Sequence, residues 1–181
     1  MISNFTGSNN VFLGFSAGYS SNTDNNVFLG YKAGYTTISG SANVAVGNNA
    51  GYSGTTGASN VFIGDSTGYG NTNSYNVFLG KGSGKVNTGS YNAFMGYQAG
   101  FKNTSGSNNV FIGNRAGRSN TLGNSNTFIG YQAGKANLSG GYNVMMGYNA
   151  GLLNTSGGSN VLIGYESGRS NTNGTYNTYN G

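Results

Sequence analysis

The 181-residue chain reads as an all-β protein, a parallel β-solenoid (β-roll or β-helix) of about ten coils, one repeat per coil. Three observations predict this fold. An Asn recurs every 16 or 17 residues, at Asn10, Asn26, Asn43, Asn60, Asn76, Asn92, Asn109, Asn126, Asn143, Asn160 and Asn177. Each Asn opens a phrase of the type Asn-Val-Phe-Ile-Gly, made of good strand formers. A second Gly follows four residues after the first, from Gly18 to Gly168. A helical hairpin repeat needs about 34 residues. Each Gly in a helix interior would also cost about 1 kcal/mol. One short coil per repeat, stacked in parallel register, is the remaining solution. At about 4.8 Å per coil, ten coils make a rod on the order of 50 Å long.

The columns of the repeat follow in order. The opening Asn can build a ladder, each amide bonding to its copies in the coils above and below; an Asx turn would use it equally well. The ladder comprises Asn10, Asn26, Asn43, Asn60, Asn76, Asn92, Asn109, Asn126, Asn143 and Asn160. A strand of three apolar residues comes next. A Gly then turns the first corner, a second short strand follows, and a small residue such as Ala17 or Ala116 precedes the Gly of the second corner. Glycine suits such corners because it adopts positive φ without steric cost. A Gly/Ser-rich turn closes the coil, and the 16-residue repeats are shorter there, as "NTGSYN" beside "NTSGSNN" illustrates. Length variation belongs in a surface loop. No linker or shift in composition interrupts the repeats, so residues 1–181 form one domain, with incomplete repeats at 1–9 and 177–181.

Composition excludes several functions. Charged residues are only 6%, with Lys+Arg 8 against Asp+Glu 3, and there is no Cys or His. Disulfides, thiol nucleophiles and histidine bases are ruled out, and ordinary zinc sites with them. The carboxylates are Asp24, Asp65 and Glu166. Acid–base catalysis needs paired groups within reach of one substrate, whereas Asp65 and Glu166 lie about 29 Å apart along such a rod. No catalytic, cofactor or metal residues are assigned, and the chain reads as non-enzymatic. "GKGSGK", Gly80 to Lys85, lacks the spacing of a phosphate loop. No apolar run approaches the ~18 residues of a membrane span. The start, "MISNFTGSNN", has neither the charged nor the apolar region of a secretory signal.

The three apolar residues in a row pose the functional question. Side chains alternate across a strand, so Phe111 points one way and Val110 and Ile112 the other. One set fills the coil; the other is an apolar stripe that calls for a partner. Which set faces inward stays open from sequence. The bulky column is the candidate oligomer interface: Phe12, Phe28, Phe62, Phe78, Phe94, Phe111, Phe128, Met145 and Leu162. The expected partner is another copy of the chain.

"NVAVGNNAG", Asn43 to Gly51, and the columns around it resemble the head repeats of YadA-like trimeric autotransporter adhesins. Similar Asn/Gly-rich phrases occur in bacterial surface and tail-fibre-like proteins. The resemblance implies three left-handed parallel β-rolls packed around an axis at the tip of a surface fibre, binding host or matrix molecules. It therefore implies a homotrimer, an extracellular or cell-surface location and a structural or adhesive role. The incomplete repeats at both ends also suggest head-to-tail stacking into filaments.

Three further surfaces compete. Lys85, Lys102, Arg115, Arg118, Lys135 and Arg169 form a candidate polyanion stripe along the second half of the rod; without a Lys/Arg run, nucleic acid is the less expected ligand. A Thr rank, Thr72, Thr88, Thr104, Thr121, Thr155 and Thr172, runs beside an Asn rank from Asn71 to Asn171 and resembles an ice-binding face. Tyr31, Tyr97, Tyr131, Tyr148 and Tyr165 share a column suited to glycan contact.

Overall fold

The computed structural model describes residues 7–54 and 56–181. It is an all-β solenoid of about ten turns, with one three-residue strand per coil. The strands are β1 (Val11–Leu13), β2 (Val27–Leu29), β3 (Val44–Val46), β4 (Val61–Ile63), β5 (Val77–Leu79) and β6 (Ala93–Met95). They continue with β7 (Val110–Ile112), β8 (Thr127–Ile129), β9 (Val144–Met146), β10 (Val161–Ile163) and β11 (Thr178–Asn180). All eleven pair in parallel, in sequence order. The register matches each column to itself, as in Phe94 beside Phe111 and Phe111 beside Phe128.

Register decides the question the sequence left open. The bulky column points inward: Phe28, Phe62, Phe78, Phe94, Phe111, Phe128, Met145 and Leu162 are at most 3% exposed, and Phe12 packs half-buried against them. These nine residues are therefore the core and not an oligomer interface. The reason lies across the coil. At Gly117, φ is +55°, and a Cβ there would lie 2.5 Å from ring carbons of Phe111. The Phe ring fits only because the facing residue is Gly, and Ala116 beside it is fully buried. Successive rings then stack on one another, Phe94 on Phe111 at 4.7 Å and Phe111 on Phe128 at 4.8 Å.

The second wall of each coil is not the strand that the sequence suggested. Residues two before and at the second Gly both take left-handed conformations, as at Arg115 (φ 58°) and Gly117 (φ 55°). Strand dihedrals cannot continue through them. The wall still bonds coil to coil, with Gly117 N–H donating to the Ala133 carbonyl at 2.9 Å and Ser119 N–H to the Lys135 carbonyl at 3.0 Å.

Two asparagine files complete the interior. In the first, Asn109 Oδ1 accepts the Asn126 backbone N–H at 2.9 Å, and Asn109 Nδ2 donates to the Gly123 carbonyl at 2.9 Å. Each amide thus ties its own coil to the backbone of the next, and some amides also bond directly, as Asn160 Nδ2 to Asn143 Oδ1 at 3.0 Å. The second file was read from sequence as part of an exposed rank. Asn71, Asn87, Asn103, Asn120, Asn137 and Asn154 are instead buried. They bond amide to amide, for instance Asn137 Nδ2 to Asn120 Oδ1 at 2.7 Å.

Candidate functional site

With Phe inside, the outer face of the sheet belongs to the flanking columns. Val11, Val77 and Val161 on one side, and Leu13, Ile63, Met95, Ile112, Met146 and Ile163 on the other, are exposed. The remaining members are mostly partly exposed. Two apolar columns therefore run side by side over β1–β10, broken at Thr127, about 43 Å for nine steps of ~4.8 Å. At the same positions β11 places Thr178 and Asn180. No other described segment covers them. The alternation that sends Phe inward sends these outward, and sequence reasoning named the pair without choosing it.

The candidate cations lie on the wall opposite the sheet around the second Gly: Lys85, Lys102, Arg118, Lys135 and Arg169 follow it, and Arg115 precedes it by two residues. Lys85 Nζ stands 5.6 Å and Arg118 Cζ 5.4 Å from the Phe101 ring centre, one coil before and one after it. Phe101 is thus held between two cations. Arg118 Nε also donates to Gln98 Oε1 at 3.0 Å, and Arg115 sits over Tyr97 at 5.9 Å. Arg115 is half-buried, and its Nε has no hydrogen-bond partner among the described residues. Arg169 stands apart, because Glu166 neutralises it at 3.4 Å. Lys85, Lys102, Arg115, Arg118 and Lys135 form no ion pair among the described residues.

Each carboxylate has a structural partner. Asp24 Oδ1 accepts the Ser8 N–H at 2.6 Å, and Glu166 also receives Asn149 Nδ2 at 3.3 Å. Asp65 accepts from Ser66 Oγ at 2.8 Å and pairs with Lys81 at 3.1 Å. Those contacts, the Ser66 bond first, hold the Asp65 carboxyl below its ordinary range. No group of three potential metal ligands occurs among the described residues.

The aromatic and Thr columns use up much of their own chemistry. Tyr131, Tyr148 and Tyr165 stack at 5.0 and 5.3 Å, so rings in this file cover one another's faces. Tyr19, Tyr35, Tyr52 and Tyr69 form a second such file at 4.8–5.1 Å. A sugar stacks on a ring face, so within these files the Tyr offer edges and hydroxyls instead. In the Thr rank, Thr104 Oγ1 donates to the Thr121 carbonyl at 2.9 Å and Thr155 Oγ1 to the Thr172 carbonyl at 3.0 Å. Their donors are directed along the rod.

Fold and surfaces together define a parallel β-solenoid repeat protein with one uncovered apolar sheet face. No family model matches the chain, and no curated protein or solved structure shows significant similarity to it.

Proposed function

We propose that this chain is a non-enzymatic structural or adhesive module of an extracellular fibre, associating with copies of itself through the outer face of its sheet. The observation that carries this reading is the uncovered double column of Val and Ile/Leu/Met. Soluble monomers seldom leave a continuous apolar patch of that extent in water. Covering one such side chain contributes about 1.5–3 kcal/mol before the costs of association. A second copy has the same coil spacing, so its columns can meet these coil for coil. The bulky rings are turned inward, which leaves aliphatic side chains to meet at an axis and supports a homotrimer as the favoured assembly.

Light scattering tests this. The wild type should give a mass about three times the chain mass of 18.5 kDa. The double variant Val110→Lys with Ile112→Lys places two charges on the outer face without entering the core, and it should shift the mass toward monomer. A wild type that stays monomeric at every concentration rules out the reading.

The cation cluster supports polyanion binding as an additional reading. Lys85, Lys102, Arg115, Arg118 and Lys135 fall within four successive coils without carboxylate partners. Phe101, at the centre of the cluster, is held between Lys85 and Arg118 and Tyr97 lies under Arg115, so these rings are not the open stacking platforms of single-strand nucleic-acid binders. Retention on a sulfated polysaccharide column should fall steeply with salt, and Lys85→Glu with Arg118→Glu should abolish it. Retention that ignores salt would refute this second reading.

A further inference from the structure

The position just before each ladder Asn reads Tyr75, Tyr91, Asn108, Ser125, Tyr142, Ser159 and Tyr176 in successive coils. All seven share one left-handed conformation, with φ between 56° and 63°. Their side chains therefore leave the rod in the same direction. Where two Tyr are consecutive, at Tyr75 and Tyr91, the rings stack at 5.0 Å and 8°. Tyr142 and Tyr176 are two coils apart, with Ser159 between them, so one rung of the file is missing. Two steps of the Tyr75–Tyr91 spacing, 2 × 5.0 Å, set their rings about 10 Å apart. This gap is part of a groove of about 300 Å³ that runs on past Tyr142 to Asn124, lined by Tyr142 and Tyr176 with Ser139, Ser159 and Thr175. Tyr142 is 72% and Tyr176 84% exposed, so ring faces hidden in the unbroken files are open here.

We propose that this slot binds one pyranose ring of a neutral oligosaccharide, held between the two Tyr faces. A flat aromatic ring would meet only those two faces. A sugar also meets the rim, which carries the hydroxyl-bearing residues Ser139, Ser159 and Thr175 beside both tyrosines. Hydroxyls both donate and accept, which matches the alternating needs of a sugar's own hydroxyls. No charged side chain lines the groove, which selects a neutral sugar over a sulfated or carboxylated one. Tyr142 and Ser159 each stand two residues before an outer-face Val, Val144 and Val161, so the slot borders the outer sheet face. Sugar binding is read apart from self-association by following the monomer-favouring Val110→Lys/Ile112→Lys variant alongside the wild type.

The test is amide and Tyr-ring NMR on the full chain, titrated with cellopentaose, maltopentaose and chitopentaose. A one-ring site of this kind should bind with Kd on the order of 1 mM. At least one sugar should shift the resonances of Ser159 and its neighbours in a saturable way. Ser159→Tyr inserts the missing rung and should weaken binding at least tenfold while keeping the solenoid spectrum. Tyr142→Ala should weaken it similarly and serves as the second variant. The proposal is overturned if none of the three sugars shifts these resonances, if Ser159→Tyr binds as well as wild type, or if p-cresol occupies the slot and no sugar does.

Discussion

At the scale of single residues, the fold depends on what faces each Phe ring. Gly117→Ala would add a Cβ 2.5 Å from the Phe111 ring at a backbone position of positive φ. The left-handed conformation costs a non-Gly residue about 1–2 kcal/mol, and overpacking a core adds about 1–3 kcal/mol. A loss of about 3 kcal/mol should appear in thermal melts. Ala45 is the opposite case. It stands in the Phe column between Phe28 and Phe62 and leaves a small cavity of about 10 Å³ beside Gly51 and Gly54. Ala45→Leu should gain about 1 kcal/mol by covering apolar surface there. A lower melting midpoint than wild type would show that the neighbouring rings have already closed the gap.

At the scale of elements, the short strands are held by the asparagine file beside them. Three residues make few ladder bonds, and each Asn adds an acceptor and a donor aimed at the next coil. Asn109→Ala would strip the Asn126 N–H and the Gly123 carbonyl of their side-chain partners inside the rod. An unsatisfied buried polar group costs about 1–3 kcal/mol, so a loss of about 2–4 kcal/mol is expected by chemical denaturation. Faster amide exchange should appear first at Asn126, the residue whose N–H is released. The file was legible in the sequence because its period never breaks. Its second counterpart, from Asn71 to Asn154, was visible as a column but placed on the wrong side, since Asn serves an exposed turn as readily as a buried ladder. The left-handed residues such as Arg115 and Tyr142 left no signal of their own, because their types vary from coil to coil.

At the scale of the whole molecule, stability should depend little on pH. The Asp65 carboxyl is held below its usual range, by Ser66 first and by Lys81. A depressed carboxyl contributes stability that is present above the unfolded value, about 3.9, and is lost as pH falls through the folded one. Asp65 is partly exposed and its pair with Lys81 lies at the surface, so the loss should be small. The melting midpoint should therefore stay flat from about pH 5 to 8 and dip slightly on acidification; a steep change near neutrality would contradict this assignment. The sequence by itself determined the repeat, its period, the strand in each coil and the glycine corners. Those follow from local geometry that recurs in every copy. Tertiary structure alone decided which apolar column is core. The Phe ring needs the space left by a Gly on the opposite wall, a contact across the coil that strand alternation cannot express. The same contact sent Val and Ile outward and made them the uncovered face. It was also the stacking of coils that opened a slot between Tyr142 and Tyr176, because rings that are distant in sequence become neighbours only once the rod is wound.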